Sequence, residues 1–312
     1  MHLIQIYMGD MPQMIRVAAS LGGSGVHIFI FCSGFGLYIS WLKKPCGYIA
    51  FLWKRFKKVY FPYVFIVIIS AFLPYMYDAD DRVVAVLSHI FLFKMFITDY
   101  VSSFGSQLWF ISTIFQFYFV FIPLCYLKKW LGGKRSFAVA LCVSVIWGIV
   151  VALLGVYDVR TWGSFFLQYL WEFVLGMLVA DWLWKGKNIE IKYWHLLVAA
   201  IVGIGFEGMM AVMGEIAKVF NDIPAFLGYT SLMILIFAVC GSEVKSFFLK
   251  IARVSYEWYL VHILVFSTVF VYSPMKGVTG QLLTGFIALV VSYACADGYA
   301  KVLAKYAYRL RN

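Results

Sequence analysis

Gly25-Val-His-Ile-Phe-Ile-Phe-Cys-Ser-Gly-Phe-Gly-Leu-Tyr-Ile-Ser-Trp-Leu42 runs for eighteen residues without an Asp, Glu, Lys or Arg, then meets Lys43 and Lys44. At about 1.5 Å per residue such a helix covers most of a hydrocarbon core about 30 Å thick. The paired lysines stop it where headgroups would begin. The pattern recurs along the chain. Comparable apolar runs extend over 59–77, 104–127 (ending at Lys128 and Lys129), 137–156, 165–184, 195–213, 226–241, 256–272 and 282–299. The expected fold is therefore all-α, a polytopic membrane helix bundle with nine spans. The stretch 82–100 is also apolar but carries His89, Lys94 and Asp99. It reads as an interfacial or re-entrant helix.

Composition agrees. The 312 residues are 63% hydrophobic, 20% aromatic and only 13% charged, with a mean hydropathy of +0.87. Soluble domains are about 45–50% apolar, so no single soluble core can hold this chain's apolar residues. Disorder is excluded by the aromatic content. Six cysteines, with no CxxC pair, exclude a disulfide scaffold and a zinc ribbon. The net charge of +11 would raise nucleic-acid binding in a soluble protein. In a membrane protein it reflects basic loops on the cytoplasmic side, and no nucleic-acid partner is expected. With the C-terminus placed in the cytoplasm, only Arg16, Arg82, Lys94, Arg160, Lys218 and Lys276 of the 26 Lys and Arg fall outside. The acidic cluster Asp78, Asp80 and Asp81 is then external. Nine spans also leave the N-terminus external. No basic stretch precedes an apolar run before Arg16, so a signal peptide is not expected. Met1–Tyr7 reads instead as the outer tail of a helix preceding Met1, with the start truncated.

Several constellations have the right residues for chemistry. Lys54, Arg55, Lys57 and Lys58 lie within five positions, flanked by aromatics. Such a group can grip a cytosolic polyanion or anchor topology at anionic headgroups. Glu172, Glu207, Asp297 and His262 lie within spans, with Asp181 and Glu257 nearer span ends. Ionisable groups at such depth face a cavity or a partner; Glu172 and His262 are the cavity candidates, and interhelical hydrogen bonding is the other reading. The five histidines form no HExxH or close cluster, so no metal site is expected. His27 reads as a packing residue and His195 as interfacial. Leu21-Gly-Gly-Ser-Gly25 and Ser33-Gly34 match neither a Walker loop nor GxSxG. They read as close helix packing or a turn, and Gly203, Gly205 and Gly208 as packing.

Four of these segments, in order, resemble signatures of the bacterial membrane acyltransferase-3 family. Leu21 to Phe35 is similar to its G-x-x-G-V-x-x-F-F-x-x-S-G-F signature. Arg55-Phe-Lys-Lys58 with Pro62-Tyr63 is similar to its R-x-x-R…P-x-Y loop. Leu108-Trp109-Phe110 with Gln116-Phe117-Tyr118 resembles H-L-W-F-L…Q-F-Y, and Val254 to His262 resembles I-S-Y-x-x-Y-L-x-H. Gln107 stands where a His often occurs, and Lys58 replaces the second Arg. The family has ten helices, so the resemblance implies one domain over 1–312 lacking its first helix.

The resemblance further implies transfer of an acyl group, commonly acetyl, from cytosolic acyl-CoA to a sugar hydroxyl. The acceptor would be a surface polysaccharide or a lipid-linked glycan precursor. It implies a multi-pass protein of the bacterial cytoplasmic membrane, in contact with membrane lipids. No bound cofactor is implied, acetyl-CoA being a co-substrate. By position, His2 corresponds to the family's acyl-transfer histidine and would act as base. Arg55, Lys58 and Lys54 would hold the CoA phosphates. Ser33, Trp109, Glu172 and His262 are the candidate cavity residues. The rival class is a multi-span transporter or exporter of a glycan or lipid, which the intramembrane carboxylates would suit. A polysaccharide polymerase is a third reading, against which the external loops are short.

Overall fold

A computed structural model describes residues 1–77, 81–187 and 190–309. Asp78 and Asp80 of the expected external acidic cluster lie outside the described residues; Asp81 is described and caps a helix. The described chain is helical, with no strand. In order, the helices are α1 (Gln13–Ser20), α2 (Gly25–Lys43), α3 (Tyr48–Arg55), α4 (Phe61–Ala71), α5 (Arg82–Ile90), α6 (Trp109–Leu131), α7 (Gly133–Leu154), α8 (Arg160–Gly163), α9 (Leu170–Trp184), α10 (Tyr193–Val212), α11 (Glu215–Val219), α12 (Asp222–Val239), α13 (Ser242–Arg253), α14 (Ser255–Tyr272) and α15 (Gly277–Arg309). Short π-helical turns, Leu3–Tyr7 and Phe56–Tyr60, precede α1 and α4.

Among the described residues, six helical segments are long and apolar enough to cross a membrane: Gln13–Lys43, Ser106–Leu131, Gly133–Leu154, Tyr193–Val212, Asp222–Val239 and Gly277–Tyr306. A seventh is reached if α13 and α14, bent by 69° at their junction, count as one. The protein is thus a multi-pass membrane protein. Its outward faces are apolar, as lipid requires: Leu153, Ile201, Phe206, Val212 and Phe286 are all more than half exposed.

Two of the nine expected spans are interrupted. The run 59–77 forms only the eleven residues of α4, which ends shortly before Pro74. The run 165–184 forms α9, of fifteen residues. Its first turn is unwound because side chains of neighbouring helices take over its backbone groups. Gln116 Oε1 accepts from the Phe166 amide at 3.1 Å, Ser144 Oγ accepts from the Trp171 amide at 3.2 Å, and Thr113 donates to the Ser164 carbonyl at 2.7 Å. Non-helical backbone persists at membrane depth only where protein satisfies it. The stretch 82–100, expected to be non-spanning, forms the nine residues of α5 and short turns.

The chain divides into two compact units. One comprises 1–22, 56–108 and 240–312; the other comprises 23–55 and 109–239. In the first unit, α14 packs on α15, and α4 packs on α5 and α14. In the second, α2 packs on α9 and α10 on α12. Glycines set both of these approaches. A Cβ at Gly34 would overlap the Phe173 carbonyl, and one at Gly176 would overlap the Phe31 carbonyl. Gly203 and Gly228 face each other's backbone in the same way. Small residues admit such contact between membrane helices. Gly205 and Gly208, also expected to pack, face open space.

Candidate functional site

In the first unit, the turn Leu3–Tyr7 rests on α14. Tyr7 Oη and Ser267 Oγ share a hydrogen bond of 2.6 Å, and the Tyr7 ring stacks on Phe270. This docking brings His2 to His262. Their rings stack with centroids 5.2 Å apart, and His2 Nδ1 lies 3.0 Å from His262 Nε2. His262 Nδ1 lies 2.8 Å from the Tyr259 carbonyl and 3.1 Å from that of Trp258. A carbonyl only accepts, so His262 Nδ1 carries the proton and its Nε2 is the acceptor. His2 must then donate from Nδ1, which places the basic lone pair of its ring on Nε2. Sequence reasoning placed these two histidines at opposite ends of the chain; the fold makes them one hydrogen-bonded relay.

The same helix fixes a second strand of contacts. Tyr259 donates to the Gln107 carbonyl at 2.5 Å, and Tyr256 to the Val59 carbonyl at 2.6 Å. Gln107 is buried, and its Oε1 has no hydrogen-bond partner among the described residues. Elsewhere in this unit His89 accepts from Tyr63 at Nδ1 (2.8 Å) and donates from Nε2 to Ser103 Oγ (3.0 Å), whose own proton goes to the Tyr100 carbonyl. The ring is neutral; burial first, then nearby Lys94, holds its pKa well below the usual imidazole range. Lys94 is fully buried on the carbonyls of Ser103 (3.4 Å) and Gly105 (3.5 Å). Burial pushes its pKa down to about 7.

In the second unit, Glu172 pairs with His27, at 2.7 Å from Nδ1 to Oε1. Asp222 Oδ1 lies 3.6 Å from His27 Nε2. Both His27 and Asp222 were missed as site candidates. His27 is no simple packing residue, since its two ring nitrogens face carboxylates on two other helices. The available signal was charge: one imidazole among several acids within apolar runs needs partners. Glu207 accepts from Ser24. Asp297 pairs with Lys301 on an exposed face of α15 instead of facing a cavity. Ser33 is half-buried on α2. Trp109 lies beneath the Arg160 guanidinium, 5.1 Å from its ring centre.

Also in this unit, Arg55 ends α3 with its guanidinium over Phe51 (5.4 Å) and Tyr118 (6.0 Å). Its Nε is buried without a hydrogen-bond partner, and it makes no carboxylate ion pair among the described residues. Aromatic faces thus hold the side chain while its charge stays uncompensated by acid. Lys54 beside it is exposed; Lys58, which belongs to the first unit, is exposed as well. Lys128 differs: it is buried, 3.3 Å from Asp181 Oδ2, and donates to Tyr38 Oη at 3.1 Å.

A family model described as an acyltransferase domain matches residues 1–297, and the chain belongs to this acyltransferase-3 family. It is an acyltransferase, which decides against the transporter and polymerase readings. Comparison with curated proteins and with solved structures found no match.

Proposed function

We propose that this acyltransferase moves an acetyl group from cytosolic acetyl-CoA to a sugar hydroxyl of a surface polysaccharide or lipid-linked glycan. The observation that carries the reading is the 3.0 Å contact between His2 Nδ1 and His262 Nε2, with His262 Nδ1 anchored on backbone carbonyls. In the proposed reaction, His2 Nε2 takes the acceptor's O–H proton as its oxygen attacks the thioester carbonyl carbon. Collapse of the tetrahedral adduct breaks the C–S bond. The CoA thiolate leaves and recovers the proton from His2, giving an O-acetyl ester and free CoA. His262 keeps His2 in the tautomer that presents its base.

Arg55, supported by Lys54, is proposed to bind the CoA phosphates. An arginine held on aromatic rings without an acid partner suits a phosphate, whose oxygens accept two parallel N–H bonds. The proposed topology has nine crossings, with α4 and α9 completing two of them as interrupted helices. The C-terminus and the Arg55 region then face the cytoplasm of a bacterial inner membrane, where acetyl-CoA is made available. Membranes carrying the protein, supplied with labelled acetyl-CoA and candidate glycans, provide the test. Transfer of label with release of CoA is expected, and Arg55→Ala should raise the KM for acetyl-CoA about tenfold, the value of one lost charge-assisted contact, with kcat little changed. An unchanged KM would remove Arg55 from the donor site.

A further inference from the structure

Acceptors outnumber donors around His27. The imidazole offers at most two N–H groups, α9 and α12 bring it two carboxylates, and the turn before α9 adds the Gln168 amide beside Asp222. Nδ1 is taken by Glu172 Oε1 at 2.7 Å. Gln168 spends its amide protons on Asp222 Oδ2 at 2.7 Å and the Val219 carbonyl at 2.8 Å. Among the described residues two acceptors remain buried without a hydrogen-bond partner, Glu172 Oε2 and Gln168 Oε1. Glu172 is 0% exposed and Gln168 is 7% exposed. No Lys or Arg forms an ion pair with Glu172 or Asp222 among the described residues. Two carboxylates on one imidazole leave net negative charge even when the ring carries both protons, and away from water that charge carries a large desolvation cost unless a further cation joins it.

The donor atoms meet the geometric need of such a cation. One ring nitrogen of His27 and one oxygen from each of Glu172 and Asp222 all lie within 4.8 Å of one another. Neighbouring ligands on a tetrahedral ion with bonds of about 2.0–2.1 Å sit about 3.4 Å apart. The 3.6 Å separation of Nε2 and Asp222 Oδ1 is already near that spacing. Glu172 meets the opposite ring nitrogen, Nδ1, at 2.7 Å, so on an ion held at Nε2 its carboxylate swings around the ring edge, within the 4.8 Å that separates the three donor atoms, as the bridging proton is displaced. One imidazole with two carboxylates suits a borderline ion better than Mg2+ or Ca2+, which prefer all-oxygen sites.

We infer that His27, Glu172 and Asp222 bind a divalent transition-metal ion of the zinc class. The three ligands come from α2, α9 and α12, so the ion ties three helices of the second unit together, and Gln168 orients Asp222 from outside the coordination sphere. The site goes beyond the proposed acyl transfer and assigns no step of it to the metal.

The test uses the full chain, purified in detergent without a polyhistidine tag, equilibrated with ZnCl2 and washed free of unbound ion. Elemental analysis should find about one zinc per chain. X-ray absorption should show nitrogen or oxygen neighbours near about 2.0 Å and no sulfur near about 2.3 Å. Zinc should also raise the Tm, since an ion binding only the folded state stabilises it. Asp222→Asn and Glu172→Gln, which keep side-chain volume, should lose the ion and the zinc-dependent rise in Tm. If either variant fails to fold, the absorption spectrum of the unaltered protein decides alone. A chain that takes up no zinc and shows no rise in Tm would overturn the inference. So would a sulfur-dominated spectrum, which would place the ion on cysteines.

Discussion

His262 and His27 both sit on apolar helices and both bind another polar side chain, but their neighbours are opposite in kind. His262 touches two carbonyls and a second imidazole, all uncharged. His27 lies between two carboxylates. The first arrangement orders protons without adding charge, and its product is a basic lone pair on His2. The second concentrates negative charge and is completed by a positive ion. The partners, and not the local sequence around either histidine, decide which suits the positioning of a neighbouring base and which suits a cation.

The contrast depends on helix spacing, and there it breaks most easily. His27 reaches Glu172 because α2 and α9 touch at Gly34 and Gly176. Gly34→Val should force that crossing apart, at a cost of about 3 kcal/mol or more, with a large drop in Tm and in folded yield. Gly205→Ala, on an open helix face, should be neutral or stabilising by up to about 1 kcal/mol. Equal thermal stability of the two variants would refute the close-approach account.

Lys94 extends the comparison with a smaller effect. Like His262 it is held by carbonyls, but it is a cation, with none of the acid that accompanies Lys128. Its pKa of about 7 in the fold lies below the ordinary 10.5. Between those values the folded state binds fewer protons than the unfolded state, so stability rises with pH across the window. Below about pH 7 the full cost of burying the ammonium is present. Lys94→Met should therefore raise the Tm by several degrees at pH 6, with the gain shrinking toward pH 10. Thermal unfolding at both pH values checks this; a gain independent of pH would mean that packing, and not charge, explains it.

The helical, multi-pass architecture was legible because apolar runs ending in Lys-Lys pairs follow from bilayer thickness alone. The interruptions of 59–77 and 165–184 were not, since polar side chains on α6 and α7 stabilise the unwound start of α9 and hydropathy does not record such bonds. Of the candidate residues, His262 and, in the other unit, Glu172 were legible as polar groups in apolar surroundings, and His2 through the family resemblance. Their pairing was not, because His2 and His262 are 260 positions apart. Asp222 escaped notice because it stands just before the apolar run it opens. Gly34 was read as a packing residue from its motif and is one; Gly205 and Gly208 show that the same residue in the same kind of run needs no partner.

The central claim is that His2 is the base and His262 its positioning residue. The most direct measurement is the rate of labelled acetyl transfer by membranes containing His2→Ala, His262→Ala or the unaltered protein at matched amounts. The account predicts a kcat lower by about 10²–10⁴-fold for His2→Ala, the usual contribution of a general base. His262→Ala should show a smaller loss, partly recovered in His262→Gln, whose amide oxygen can still accept from His2. Turnover by His2→Ala equal to that of the unaltered protein would contradict it.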